Sequence, residues 1–226
     1  MTRTVHDATV IARRQLTAST LRLTLSAPDV CALVQRPAHD LEVLLADRDG
    51  QRVKRRYTIR QTRPDTGELD LDVVLHEGGG PGAAWATTAP VGSHVNLIGP
   101  RGKLELRPAG WYLFVGDETA LPAIAALTEA LGPTACTVVL AEVAGPQDQI
   151  PLTAARDVRW LHRDRSPAGH PELLSEAIAA LTAPADHGQA YLLGESRVVR
   201  ELSQQLGHLA IASQRAFVKG YWNRRT

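Results

Sequence analysis

Four short strings in the chain carry the residue types that hold a nucleotide-like cofactor. Arg55-Arg-Tyr-Thr58 puts a guanidinium, a phenol and a second hydroxyl within four residues. A guanidinium fork can meet a pyrophosphate at two points, a tyrosine ring can pack on a flat heterocycle, and both hydroxyls can hydrogen-bond to polar atoms. Taken alone, the same string also reads as a basic, exposed barrel strand. Gly78-Gly-Gly-Pro-Gly-Ala-Ala-Trp-Ala86 is a glycine-rich loop entering a short helix-forming stretch. Its glycines permit close backbone approach, and the first N–H groups of a helix suit an anion. A flexible surface turn would have the same composition.

The third string, Gly116-Asp-Glu-Thr-Ala-Leu-Pro122, follows the apolar run Trp111–Val115. That run has strand length, Gly116 breaks it, and Asp117 and Thr119 offer capping oxygens. Pro122 suits a first helical turn, and Ile124, Leu127 and Leu131 repeat at helical spacing, so a helix is predicted over 121–131. Strand, tight turn and helix form the front of a βαβ unit, where a dinucleotide can dock and where a purely structural turn is equally at home. Gly194-Glu-Ser196 repeats this logic, with Ser196 as an ordinary helix cap for its bland reading. Glu142 ends the run Thr137–Glu142 and can accept from an adenosine ribose hydroxyl. It would repel a 2′-phosphate, Arg163 and Arg165 nearby could offset that, and a plain surface glutamate would look the same.

The elements that must position these strings fall into two sets. Leu21–Ser26, Leu41–Leu45, Arg56–Arg60, Glu68–His76 and His94–Ile98 are short strands, several alternating apolar and polar, which predicts a small antiparallel barrel. Beyond Pro108 strands and helices alternate: Trp111–Val115, Leu121–Leu131, Thr137–Glu142, Val158–His162, the helix Pro171–Leu181, Ala190–Leu193 and the helix Ser196–Leu209. That alternation predicts a mostly parallel sheet covered by helices. The fold class is therefore an N-terminal antiparallel β-barrel followed by a C-terminal α/β domain, with residues 1–107 in the first and 108–226 in the second.

Composition narrows the function. The 226-residue chain is 44% hydrophobic and 22% charged, with a net charge of +1, so bulk electrostatics indicate no nucleic-acid partner. Cys31 and Cys136 form no metal or redox spacing, and Cys136 is expected as a buried filler in the run Cys136–Leu140. No signal peptide and no apolar run of membrane-spanning length are seen, which predicts a cytoplasmic protein without a membrane partner. His39, His76, His162 and His170 are scattered, so no metal site is expected, and no G-x-S-x-G elbow is present.

The string from Gly116 to Pro122 resembles the signature of the siderophore-interacting protein family, flavin-dependent ferric-siderophore reductases of the ferredoxin–NADP reductase superfamily. Arg55-x-Tyr57-Thr58 is similar to that superfamily's flavin motif. Val73-Val-Leu-His76, followed by Gly80-Pro81 and Trp85-Ala86, is similar to its second flavin segment. Gly194-Glu195 resembles the Ala-Gly-Glu segment near the nicotinamide end, and Lys219-Gly-Tyr-Trp222 the terminal Gly-Tyr-Trp. The resemblance covers essentially the whole chain.

It implies FAD on Arg55, Tyr57, Thr58, Val74, Leu75 and His76, and on Gly80, Gly82, Ala83 and Trp85. It implies NAD(P)H on Gly116, Asp117, Glu118, Thr119, Glu142 and Glu195. Tyr221 and Trp222 would lie against the flavin as a lid, or else pin the terminus to the barrel. The implied reaction takes hydride from NAD(P)H and passes single electrons to a small-molecule substrate, a ferric siderophore, with Fe(II) released and no catalytic acid or base.

Three departures bear on this. Gly82-Ala83 stands where the family reads Ala-Ser, which removes a hydroxyl worth about 1 kcal/mol to a phosphate. Leu44 stands where relatives often carry lysine, and Glu42 is expected to make that region less basic still. Asn223 stands where arginine often follows the tryptophan, with Lys54, Lys219, Arg224 and Arg225 as replacements for the missing charge. Two other functions therefore stay open: a flavoenzyme with a different acceptor, and a non-redox descendant using the pocket for binding or non-redox catalysis.

Overall fold

The computed structural model describes residues 4–47, 49–76, 79–164 and 166–224; Gly78, Arg165 and Arg225 lie outside these ranges. The chain divides into two compact units, Met1–Glu105 and Leu106–Thr226.

The first unit is a closed antiparallel barrel. Its strands are β1 (Val5–Thr17), β2 (Thr20–Ser26), β3 (Asp40–Ala46), β4 (Arg52–Arg63), β5 (Glu68–Val74) and β6 (His94–Arg101), in the spatial order β1-β2-β5-β4-β3-β6. Strand alternation sends Leu21, Leu23 and Leu25, Leu41, Val43 and Leu45, and Leu69, Leu71 and Val73 inward to one core. Each of these side chains stabilises the fold by roughly 2 kcal/mol relative to exposure, so a one-residue slip of a strand would cost several times that. A short helix α1 (Pro28–Cys31) follows β2, and α2 (Pro81–Thr88) adds Ala86, with Ala89 just beyond, to the same core.

β1 is not singled out by the sequence pattern. Register shifts between Val10 and Ala12 and between Gln15 and Thr17 interrupt its alternation, and Arg13, Arg14 and Gln15 pair with Leu23, Arg22 and Leu21 of β2 in between. β4 runs well beyond the five residues expected because its exposed positions are charged, which hides the periodicity.

The second unit holds a five-stranded sheet in the order β11-β10-β7-β8-β9, with every pairing parallel. Its strands are β7 (Trp111–Gly116), β8 (Thr137–Val143), β9 (Asp157–His162), β10 (Gly188–Glu195) and β11 (Ala216–Trp222). Its helices are α3 (Leu121–Leu131), α4 (Glu172–Ala179) and α5 (Ser196–Ser203). α3 spans the expected residues, with Gly132 at positive φ (+78°) at its end. α5 is shorter than expected, since the chain turns at Gln204 and continues as a 3-10 turn over Leu206–Leu209. β11 was expected only as a tail. It is a half-buried edge strand without alternation, and it gains its identity from parallel pairing with β10. Cys136 is half-buried rather than buried, because it precedes β8 instead of lying within it.

Candidate functional site

In the barrel, β4 sets the first constellation. Arg55 and Tyr57 lie opposite Val43 and Leu41 of β3 and share one face of the strand, whereas Lys54, Arg56 and Thr58 lie opposite Leu44, Glu42 and Asp40 on the other. The first turn of α2 then closes over Tyr57. A Cβ built on Gly82 would stand 1.9 Å from the Tyr57 hydroxyl, 3.2 Å from its Cζ and 3.4 Å from Cγ of Arg55. Glycine at position 82 is thus required by close approach.

One turn later Trp85 brings a second ring, with its centroid 6.3 Å from that of Tyr57 and the planes 38° apart. Burial pushes the Tyr57 hydroxyl up to about 12, against the pull of Arg55, so it stays a neutral donor at physiological pH. Gly80 is the N-cap and Pro81 starts α2, whose first N–H groups receive no side-chain cap. Thr58 is buried and Ala83 half-buried, while Val74 ends β5. Leu75 donates its N–H to Ser19, and the His76 carbonyl accepts from Gly79. Aromatic rings, a guanidinium and uncapped helical N–H groups in one place fit the heterocycle and pyrophosphate of a flavin dinucleotide.

On the opposite face of β3 and β4, Glu42 subtracts charge as a member of a wider ion-pair network. Arg101 donates to Glu42 at 2.6 Å and to Asp40 at 3.2 Å, Arg56 stands 3.6 Å from Asp40 and 4.0 Å from Glu42, and Lys54 lies 3.7 Å from Glu42. Among the described residues three cations thus face these two carboxylates, and the side chain of Lys54, directly across from Leu44, is 51% exposed. A second outward network, missed by the sequence reading, joins Arg22 to Asp72 and Arg63 to Glu68 and Asp70, with Thr24 donating to Asp70. Burial works to raise Asp70, but the bonds from Arg63 and Thr24 outweigh it and hold the carboxyl below its ordinary range.

In the second unit the expected residues converge at the carboxyl ends of the parallel strands, where open α/β sheets take ligands. Gly116 ends β7 in a tight space: an added Cβ would be 2.4 Å from the Leu193 carbonyl and 2.5 Å from Cβ of Ala120. Asp117 caps the following 3-10 turn, accepting from the Thr119 N–H at 2.9 Å and from its hydroxyl. Its second oxygen accepts from the Glu195 N–H at 3.1 Å and the Trp222 indole N–H at 2.8 Å. Burial pushes the Asp117 carboxyl up, against those donors.

Glu118 takes both terminal nitrogens of Arg163, and one of these also reaches Glu142 at 3.3 Å. Arg163 is therefore engaged rather than free to meet a phosphate. Glu142, 3% exposed, is pushed up to about 7, by burial first, with Arg163 opposing and Asp117 and Glu118 adding to the rise.

Glu195, not Ser196, is the cap of α5: one oxygen accepts from the N–H groups of Arg197 and Val198, at 2.6 and 2.9 Å, and the other from that of Arg224 at 3.1 Å. Burial would raise the Glu195 carboxyl, but these backbone donors hold it low. Ser196 instead donates to the Trp222 carbonyl. Trp222 is thus tied inside the second unit, and Tyr221 beside it carries Lys219 5.1 Å from its ring centroid. The pairing of Arg163 with Glu118 left no motif in the sequence, since the two lie 45 positions apart.

Among the described residues no cluster of three or more His, Cys, Asp or Glu side chains forms a metal site, and no helix is long and apolar enough to cross a membrane.

Comparison with known proteins matches both regions. The sequence model of the family described as "Siderophore-interacting protein" matches residues 109–225, and that of the "Siderophore-interacting FAD-binding domain" matches residues 40–104. The ferric vibriobactin reductase ViuB of Vibrio cholerae is 36% identical over 178 residues, covering 76% of this chain and 65% of the relative. The NADPH-dependent ferric-chelate reductase of Escherichia coli is 27% identical over 162 residues, covering 69% of this chain and 61% of the relative. The chain thus spans somewhat under two thirds of these relatives. Among solved structures, a siderophore utilization protein from T. fusca superposes with a TM-score of 0.88 at 27% identity, covering 99% of this chain and 94% of that one.

Proposed function

We propose, since the chain belongs to the siderophore-interacting protein family, that it is an FAD-dependent reductase of ferric siderophores that draws its electrons from NADH or NADPH. One observation carries the flavin part: the close approach of Gly82 to Tyr57, which gathers Tyr57, Arg55, Trp85 and the first turn of α2. Two relatives named as ferric reductases support the substrate class, and one named as NADPH-dependent supports the donor.

Bound flavin would supply the means to accept two electrons as a hydride and to pass them singly to ferric iron. The chain's own part is to bind and orient. Tyr57 presents a ring and a neutral hydroxyl to the heterocycle, with Val74, Leu75 and His76 as bordering backbone, and Thr58, whose side chain belongs to the other face of β4, is assigned to the flavin by the resemblance alone. Arg55 meets the pyrophosphate, and the N–H groups of Gly80, Gly82 and Ala83 complete its cradle. In the second unit the turn from Gly116 to Thr119 receives the dinucleotide, with Asp117, Glu118, Glu142 and Glu195 holding the turn and the neighbouring strand ends. Tyr221 is assigned to the flavin's border by the resemblance, whereas Trp222 is tied to Asp117 and Ser196 within the second unit. No side chain is needed as an acid or base, because the steps are hydride and electron transfers.

On the other face of β4, the excess of cations over carboxylates around Lys54, Arg56 and Arg101 suits an anionic iron chelate. The test is an anaerobic absorbance titration of the FAD-loaded protein with NADH and then NADPH. Bleaching of the flavin bands by either is the expected result. A protein that cannot be loaded with FAD, or whose flavin neither nucleotide bleaches, contradicts the proposal.

A further inference from the structure

Asp117 is buried and yet receives no cation among the described residues. Four hydrogen-bond donors carry its charge instead: the Thr119 N–H and hydroxyl, the Glu195 N–H and the Trp222 indole N–H. They come from three separate parts of the unit, namely the turn after β7, the start of α5 and the end of β11. One carboxylate therefore links the last strand of the sheet to the turn that leads into α3.

The surroundings are cleared for this link. A Cβ on Gly194 would stand 2.7 Å from the Asp117 oxygen that accepts from Trp222. A Cβ on Gly169, in the loop after β9, would stand 2.9 Å from the outer edge of the Trp222 ring. Both glycines have positive φ, +146° and +83°, where other residues are strained. The Ser196 hydroxyl fixes the Trp222 backbone through its carbonyl at 2.9 Å. With ring, backbone and donor all held, the indole N–H is directed at Asp117 by the fold and not by chance rotamer choice.

We propose that Trp222 is a positioning residue for the turn between β7 and α3, acting through Asp117. The two oxygens of this carboxylate divide the work: one caps the turn at Thr119, the other faces Trp222 and Glu195. Loss of the indole donor leaves the second oxygen with the Glu195 N–H alone, and the carboxylate shifts away from Thr119 to recover a partner. The turn then loses the arrangement in which it meets a ligand. This inference rests on the reading that the turn receives NAD(P)H. A purely structural Trp222 would affect stability but not that binding.

The experiment uses the full FAD-loaded chain as wild type, W222F, D117N and the double variant. It measures the dissociation constants of NADH, NADPH and ADP-ribose by calorimetry, together with steady-state KM and kcat. For W222F, binding about tenfold weaker is expected, the size of a lost hydrogen bond to a charged group. KM should rise in parallel while kcat stays within about twofold, and the double variant should bind no more weakly than D117N, as coupling through one carboxylate requires. Unchanged affinity in W222F, or fully additive losses in the double variant, overturns the inference while leaving the nucleotide reading intact. A wild type that binds none of the three ligands overturns both. Should D117N fail to fold, the KM-against-kcat split of W222F decides: a raised KM with kept kcat supports the role, and an unchanged KM overturns it.

Discussion

The two units handle buried acid in opposite ways. On the barrel, Asp70 and Asp72 meet Arg22 and Arg63, and Asp40 and Glu42 meet Arg101, Arg56 and Lys54, so nearly every carboxylate has a guanidinium of its own. In the α/β unit, Glu118 and Glu142 share Arg163, and Asp117 is left to neutral donors. The difference follows from position. The barrel carboxylates lie on outward strand faces that long arginines on neighbouring strands can reach. The others lie at strand ends and turns, where backbone N–H groups are plentiful and cations few. The arginines hold the Asp70 carboxyl low, whereas burial raises Asp117 and brings Glu142 up to about 7, poised to respond near neutral pH.

The largest expected effect sharpens that contrast. Arg163→Met strands two buried carboxylates and should destabilise the second unit by about 3–5 kcal/mol. Arg101→Met leaves Asp40 and Glu42 with Arg56 and Lys54 and should cost about 1 kcal/mol. Segment-resolved hydrogen exchange of each variant checks both values, and equal losses would erase the distinction.

The pH response should differ in sign. The Glu142 carboxyl is raised from 4.5 to about 7, so its contribution is fully present below 4.5 and is lost as pH rises through 7. The Asp70 carboxyl is lowered from 3.8, so its contribution is present above that value and is lost as pH falls beneath it. Exchange protection should thus weaken in the α/β unit between pH 5 and 7.5, by on the order of 2 kcal/mol, and in the barrel only below about pH 4. Glu142→Gln should flatten the first slope, and an unchanged slope would mean that another group sets it.

How much of this was legible in the sequence depended on the range of each interaction. The limits of α3 followed from Gly116, Pro122 and the spacing of Ile124, Leu127 and Leu131, which are all local signals. The inward leucines of β2, β3 and β5 were legible through alternation. β1 was hidden by its register shifts, and β11 by pairing with a strand whose residues lie more than twenty positions earlier. Site residues were named by motif, but their partners were not. Arg163 lies 45 positions from Glu118, Arg22 lies 50 from Asp72, and Trp222 lies 105 from Asp117. No periodicity spans such distances. For the same reason the charge that Glu42 subtracts could be read from the sequence, but not that Arg101, on another strand, is the partner it neutralises.

Two smaller effects probe the barrel side. Gly82→Ala should push Tyr57 aside and weaken FAD binding about tenfold, roughly 1.4 kcal/mol, whereas Tyr57→Phe in the same chain removes the 1.9 Å contact and should recover part of that loss. Equilibrium flavin dialysis distinguishes these, and no loss in Gly82→Ala would show that the close approach is dispensable. The smallest effect is expected of Ala83→Ser, whose added hydroxyl beside the first turn of α2 should tighten FAD by about 1 kcal/mol or less on the same assay.

The central claim is tested most directly by following Fe(II) capture by a colorimetric chelator under anaerobic conditions. The FAD-loaded protein is first reduced by NADH or NADPH and then mixed with a ferric catecholate chelate. The account predicts that flavin reoxidation and Fe(II) appearance share one time course, with two iron equivalents per flavin, and that both fail when FAD is withheld. A reduced flavin that persists in the presence of the ferric chelate, and is reoxidised only when oxygen is admitted, would contradict it.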